Sequence, residues 1–509
     1  MSASASSTPR KLPMSPTDDD EHSSPPASSQ SLASDVPPLG AIPDTSVDPI
    51  YAAKAHALNA AIQEIGMGRY QWGLFCVAGF GWFVDNLWPQ ATALILPAII
   101  AEMRPHRKEM LALAQNLGLM IGASFWGVGA DIIGRRWAFN LTLLIAGVFG
   151  AVAGGSSSYT GVAVFAALWS VGVGGNLPVD SAVLLEFLPG SHQWVLTAMS
   201  LWWGMGQIVA SAVAWPLLTR FSCPSTGRCD ASQNMGWRYL LFTLAGLTLT
   251  MALLRVLFFR LYESPKYLMG RGNDPAAASV IAKLSDYNGH PTTFTAEALT
   301  RLGTYHPSSS TSHIRALFST PMLSASTSTI ILLWFLIGTA FPLYNCFLPY
   351  FLSRVSGSTS QVYRNYLIIG VCSLPGSLLG ATMIELPSLG RKGAMSLFTL
   401  ATGAFLFAAT TARTGTQLLA FNAAYAVTSS AMYAVLYAYT PEVFPTKDRG
   451  TGSGLAATAN RIGGVLAPLL AMAADLDTPV PVYVSGSMFL CAGVVMLWLP
   501  FESRGKTSL

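Results

Sequence analysis

The sequence predicts an all-α membrane protein, with twelve transmembrane helices in two pseudo-symmetric six-helix bundles. Three observations predict it. Of 509 residues, 51% are hydrophobic and only 11% are charged, where soluble domains carry about 25% charged residues. The apolar residues gather into stretches of about 20, the length of helix that crosses a hydrocarbon layer about 30 Å thick. Motifs in the first half also recur in the second: Gly134–Arg135–Arg136 is answered by Gly390–Arg391–Lys392, and Glu186–Phe187–Leu188–Pro189 by Glu442–Val443–Phe444–Pro445, both at an offset of 256 residues. A looser pair is Glu263–Ser264–Pro265 and Glu502–Ser503–Arg504. Parallel repeats built of membrane segments point to a transporter with its substrate site between the halves.

Residues 1–66 are rich in Ser, Pro and Asp, too polar to bury a core, and read as a disordered cytoplasmic tail. No apolar h-region opens the chain, so no cleaved signal peptide is expected. Six segments follow at 71–100, 111–130, 137–155, 160–187, 195–219 and 237–260, giving an N-terminal six-helix bundle over 67–260. Their internal Gly and Pro are tolerated in transmembrane helices. The polar stretch 261–325 reads as a cytoplasmic loop with short helices, one starting at Asn273–Asp274–Pro275 and stopping at Asn288–Gly289. Segments at 327–352, 363–386, 394–412, 417–440, 451–474 and 481–500 form a C-terminal bundle over 326–500, and 501–509 is a cytoplasmic end. The Lys and Arg balance favours both termini inside, although Arg104, Arg107 and Lys108 in the first external loop run against it.

Several function classes are excluded at this stage. Net charge is +4 with no basic run, which argues against a nucleic-acid partner. The Gly-x-x-x-x-Gly-Lys-Ser/Thr pattern is absent, so ATP is not expected to drive the protein. The six cysteines show no metal spacing and the seven histidines fall in predicted tails or loops; no metal, cofactor or enzymatic constellation is expected. Cys223 and Cys229 share one polar loop and would form a disulfide if that loop faces an oxidising side.

Between segments two and three, Gly127-x-x-x-Asp131-x-x-Gly134–Arg135–Arg136 resembles the signature loop of the major facilitator superfamily. Asp131 can cap a helix start while the arginines anchor at headgroups. Gly172-x-Gly174–Gly175, Pro178 and Glu186-x-x-Pro189 resemble helix four of its sugar-porter-like branch. Tyr262–Glu263–Ser264–Pro265–Lys266 is similar to that branch's motif after helix six, and Pro441–Glu442–Val443–Phe444–Pro445 with Arg449–Gly450 to its motif after helix ten. Within the branch, Glu186–Phe187–Leu188–Pro189 and Arg461–Ile462–Gly463–Gly464 look more like synaptic-vesicle-protein-type and organic-ion transporters than hexose carriers. The resemblance covers about residues 67–506 and implies the major facilitator fold. There are departures: Pro387 stands where the offset predicts the second Asp, with Glu385 nearby, and Gly190–Ser191–His192–Gln193 replaces the usual Arg-Gly.

Three charges inside predicted helices lack a counterpart, since the offset takes Asp85 to Phe341, Asp180 to Leu436 and Arg461 to Met205. An ionisable residue in the membrane costs at least about 2.5 kcal/mol on insertion scales and is a functional candidate by default. Asp85 is expected to carry a proton, or else to form a static ion pair or a hydrogen bond to a neighbouring helix. Asp180, beside Pro178, is a second proton-coupling candidate that faces the cavity or caps a kink. Arg461 either grips an anionic substrate by paired hydrogen bonds or pairs with Asp85 or Asp180. Gln207, Tyr344, Asn345, Tyr433, Tyr437 and Asn460 are further candidates to line the cavity. Asp131, Gly134, Arg135, Arg136, Glu186, Arg391, Lys392, Glu442 and Arg449 form a gating set, Glu186 and Glu442 pairing with the basic residues when the inner side closes.

The expectation is therefore a secondary active transporter, not an enzyme. It moves a small polar metabolite, an organic anion or a sugar, with protons, in a lipid bilayer that is the plasma membrane rather than the vacuole. The alternatives are a secondary-metabolite exporter and a nutrient receptor that kept the fold.

Overall fold

Among the described residues, twelve helical spans are long and apolar enough to cross a membrane. The structure is a computed structural model that describes residues 49–192, 194–223, 229–303, 315, 317–355, 358–383, 389–444 and 449–500. A helix α1 (Pro49–Ile65) precedes the first membrane helix, α2 (Arg69–Met103). Then come α3 (Met110–Ile133), α4 (Arg135–Gly154), α5 (Tyr159–Phe187), the short α6 (Trp194–Ala198), α7 (Ser200–Arg220) and α8 (Gly236–Phe258). Three short helices follow: α9 (Pro265–Gly270), α10 (Asp274–Asn288) and α11 (Ala296–Thr300). The second half holds α12 (Pro321–Asn345), α13 (Leu348–Val355), α14 (Thr359–Met383), α15 (Gly390–Thr410), α16 (Gly415–Val443), α17 (Arg449–Ala474) and α18 (Val480–Leu497). Predicted segments five and seven are each divided, at Met199 and at Cys346–Phe347.

The repeat seen in the motifs is also a repeat of packing. In the first half α3 and α4 pack on α5, α4 on α8, and α2 on α7; in the second α14 and α15 pack on α16, α15 on α18, and α12 on α17. The seam between halves repeats too, with α3 against α17 and α14 against α7. Small residues allow these approaches. Gly118 and Gly122 lie on the Ala167 and Val171 carbonyls of α5, while Gly376 and Gly380 lie on the Val427 and Ala431 carbonyls of α16. A Cβ at any of the four would collide with backbone, which has no room to yield.

The first described residues depart from the expectation. Residues 49–65, placed in the disordered segment 1–66 by composition, form α1 instead. Leu58, Ala61, Ile62 and Ile65 recur at helical spacing and pack with Met269 of α9, Val280, Ile281 and Leu284 of α10, and Leu299 of α11. The Lys54 ammonium meets Asp274 Oδ2 at 2.5 Å in a buried pair. Gln63 donates to Ser191 at 3.0 Å, and Thr292 donates to Glu64 at 3.0 Å. The polar residues of α1 make it look like tail; the apolar stripe decides its structure. Helix α10 starts and stops as expected, with the Asn273 side chain accepting from the Ala276 amide and Gly289 in the left-handed region at φ 73°.

Candidate functional site

Glycine explains the ends of the repeated loops. Gly134 and Gly390 both hold positive φ, 104° and 62°, a conformation that costs other residues a steric penalty. On this motif-bearing side the acidic and basic members of the gating set meet within each half. Arg135 pairs with Glu186, and Arg391 Nε lies 2.8 Å from Glu442 Oε2 while its NH2 lies 2.9 Å from Oε1. These two pairs are themselves related by the offset of 256. Glu263 joins the first, accepting from the Arg135 amide at 3.1 Å, where a carboxylate meets the positive end of α4. Arg136 is exposed, and Lys392 is half-buried. The side chains of Asp131 and Arg449, with Glu385 and Pro387, lie outside the described residues.

On the opposite side the contacts cross the seam. Lys108, between α2 and α3, reaches Asp477, between α17 and α18, at 2.8 Å and the Tyr350 hydroxyl of α13 at 2.9 Å. Tyr350 donates to Asp477, and Arg354 lies 3.6 Å from that carboxylate. Trp215 of α7 donates to Ser360 of α14 at 3.1 Å. Cys223 and Cys229 are disulfide-bonded in the α7–α8 loop on this same side. A cavity of about 230 Å³ also opens here, within the second half, lined by Tyr344, Phe351, Arg354, Asn422 and Asp477 among others. It involves neither Asp85 nor Arg461.

Those two charges meet in the middle of the seam. Asp85 of α2 is buried at 6% exposure, and its Oδ1 faces Arg461 NH2 of α17 at 3.9 Å. That is ion-pair range but beyond hydrogen-bond length, so the charges attract without being locked. The other oxygen, Oδ2, accepts from Trp203 Nε1 of α7 at 3.2 Å. Arg461 is also close enough to act electrostatically on Tyr433 and Tyr437 of α16. Both tyrosines pack against Trp334 of α12, Tyr433 tilted and Tyr437 edge-on with its ring centroid 4.8 Å from that of Trp334. Tyr437 is half exposed. One acid, one permanent cation and an aromatic wall therefore come together where the halves touch.

The remaining candidates divide. Gln207 packs beside Gly370 of α14, across the seam. Tyr344 donates to Asn422 at 2.6 Å, and Asn345 donates to the Tyr425 hydroxyl at 2.5 Å; both hold the broken α12–α13 helix onto α16. Asn460 is wedged against Gly338 where α17 crosses α12. Asp180 lies on α5, whose helix continues past Pro178. It is fully buried against Arg255 of α8, 2.6 Å away.

Sequence reasoning missed five polar groups here. Arg255 was hidden near the end of a long apolar segment, and Trp203 reads as packing. Asn86 donates to the Trp203 carbonyl at 2.9 Å, and Gln90 donates to Asn86 at 3.0 Å. Tyr366 of α14 donates to Gln90 across the seam. The signal was available, because Asp85, Asn86 and Gln90 fall within six residues of one apolar helix.

Two pseudo-symmetric bundles with charges meeting between them define a membrane transporter of the major facilitator type. The chain belongs to the family described as Sugar (and other) transporter, whose model matches residues 102–507. It is 48% identical over 514 residues to MFS siderochrome iron transporter 1 of Ceriporiopsis subvermispora, covering 96% of this chain and 98% of that one. It is 39% identical over 501 residues to the major facilitator-type transporter hxnZ of Emericella nidulans, covering 91% and 90%. A synaptic vesicle 2-related protein of Rattus norvegicus is a more distant relative at 26%. Among solved structures, the partially occluded inward-open xylose transporter XylE from E. coli superposes with a TM-score of 0.67 at 17% identity, covering 86% of this chain and 99% of that one. The expected family and fold are borne out, and the protein is a transporter, not an enzyme.

Proposed function

We propose that this transporter moves a small polar metabolite, an organic anion or a sugar, together with protons by alternating access. The observation that carries the reading is the Asp85–Arg461 pair, a carboxyl and a guanidinium held 3.9 Å apart on opposite halves. Rocking the halves would change that distance, and with it the cost of protonating Asp85. An anion arriving at Arg461 would compete with Asp85 for the same cation, so cargo and proton are coupled through one group. The Tyr433, Tyr437 and Trp334 wall supplies apolar faces with polar edges, the surface that small-ligand sites use. Asp180 has no place in this reading.

The arrangement requires neither ATP nor a nucleic-acid partner. Both termini are taken to be cytoplasmic, supported by the Cys223–Cys229 disulfide on the far side, since disulfides persist in oxidising compartments. The plasma membrane is the favoured location. The gating role assigned to Glu186, Glu442 and their basic partners is that each pair, now closed within its half, re-forms across the seam when the motif-bearing side shuts.

The test is uptake into proteoliposomes, screening sugars and organic acids with and without an imposed proton gradient. Gradient-driven accumulation of one class supports the reading; flux indifferent to the gradient defeats the proton part. Flux of none, with binding intact, would favour a receptor. The name of the 48% identical relative makes an iron siderochrome the second cargo to include, and outward flux would point to an exporter.

A further inference from the structure

Two of the buried carboxylates of the first half, Asp85 and Asp180, stand well inside membrane helices, and only one of these two faces the seam. Asp85 looks across to Arg461. Asp180 is 0% exposed and looks inward to Arg255, itself 0% exposed at the side chain. The Arg255 guanidinium makes one bond to each of three helices. NH2 donates to Asp180 Oδ2 of α5 at 2.6 Å, Nε to the Val77 carbonyl of α2 at 2.7 Å, and NH1 to the Phe139 carbonyl of α4 at 2.5 Å. Its flat face lies 3.7 Å from the centroid of the Phe139 ring. All four helices that pack round this point are thus tied to one cation.

We propose that Arg255 is a positioning residue that holds Asp180 as a permanent carboxylate, leaving Asp85 as the only one of the two buried acids that exchanges protons. The argument is one of charge balance. A guanidinium does not lose its proton in a protein, and with no route to water it needs its counter-ion. Protonating Asp180 would leave Arg255 as an uncompensated buried charge, which is strongly destabilising. Protonating Asp85 leaves Arg461 only partly buried and free to take an anion instead. The charged groups that bear on Asp180 are Arg255 from α8 and, in repulsion, Asp85 from α2; α4 offers only the Phe139 carbonyl and ring. The bond to Val77 fixes α2 eight residues before Asp85, about 12 Å along the helix, so the same guanidinium also sets where the exchanging acid stands. This deepens the proton-coupled reading and rests on it only for its consequence in transport.

Removing Arg255 should therefore create a second exchanging acid, at Asp180 Oδ1, an oxygen with no hydrogen-bond partner among the described residues. Infrared difference spectra of the purified full chain, titrated between about pH 5 and 8, count buried carboxyl groups that gain a proton. The expected result is that Arg255→Gln adds one titrating carboxyl band and that the double variant Asp180→Asn/Arg255→Gln removes it. Wild type and the double variant should show equal numbers of bands. A wild-type band that disappears in the double variant overturns the proposal, as does a folded Arg255→Gln protein with no added band. If Arg255→Gln does not fold, the comparison of wild type with the charge-free double variant decides alone. Failure of proton coupling itself is read separately, as wild-type uptake indifferent to the gradient, and leaves the band count standing.

Discussion

Asp85 and Arg461 stand on helices α2 and α17, one from each half, with 3.9 Å between carboxylate and guanidinium. Every other described pair of opposite charges in the membrane-spanning core is closed within its own half. Asp180 meets Arg255 at 2.6 Å, and Glu102 takes Arg238 at 2.7 Å. The one loose pair is also the one that spans the seam, which is where a moving charge is useful.

Asp85→Asn keeps the shape and the Trp203 hydrogen bond but removes the proton-exchanging group. Gradient-driven accumulation should collapse to simple equilibration, while exchange of labelled for unlabelled cargo persists. The measurement is uptake against external pH in proteoliposomes. Unchanged gradient dependence would rule Asp85 out.

Arg461→Lys preserves charge but loses the planar fork. For an anionic cargo the apparent affinity should fall about tenfold, the equivalent of about 1.4 kcal/mol, with the maximal rate less affected. Concentration-dependent uptake checks this. Retained affinity would show that paired hydrogen bonds are not used.

The far-side contact at Lys108, Tyr350 and Asp477 should hold over a wide pH range. Hydrogen bonds from Lys108 and Tyr350 hold the Asp477 carboxyl below the usual carboxylate range, so its contribution is present above about pH 4 and is lost as pH falls further. Burial pulls the Lys108 ammonium down, but its bonds to Asp477 and Tyr350 outweigh this and hold it above the usual amine range. Its contribution is complete below about pH 10 and is lost as pH rises past that. Labelling of a Ser360→Cys reporter, in a chain freed of Cys76, Cys346, Cys372 and Cys491 and scaled at each pH to the rate of a free thiol, since only the thiolate reacts, should be flat between those limits. Lys108→Ala should speed it at most about fivefold, because partly exposed pairs contribute at most about 1 kcal/mol.

Lys54→Ala strands Asp274 at a buried contact and should cost about 3–5 kcal/mol. Lys54→Met/Asp274→Leu removes both charges and should recover most of it. Thermal unfolding of the purified protein reads both. A Lys54→Ala protein as stable as wild type would mean that α1 is not fastened by this pair.

Fold and family were legible because twelve apolar stretches and a constant offset leave little choice of architecture. The site was legible in part. Asp85 and Arg461 stand out as charges with apolar repeat mates, and Tyr433 and Tyr437 share their helix face at a spacing of four. Asp180 looked equivalent to Asp85 because one sequence does not show which buried acid owns a neutralising partner. Arg255, 75 residues further on, resolves that only in three dimensions. Tyr344 and Asn345 are polar residues at depth whose hydrogen bonds stay within their own half, Asn460 packs on Gly338 of the same half, and composition does not separate packing from cargo contact. Helix α1 was obscured by the polar chain before it, although Leu58, Ala61, Ile62 and Ile65 already carried its period.

The attachment of α1 has a practical reach. Through Lys54, Gln63 and Glu64 it grips α10, the loop after α5 and the strand of chain leading to α11, and α2 continues from it after a short turn. A fluorophore on exposed Asn59 therefore rides as cargo of the first bundle. Paired with a second dye on α15, it turns the rocking of one bundle against the other into a distance that can be watched during turnover, with both probes away from the seam contacts.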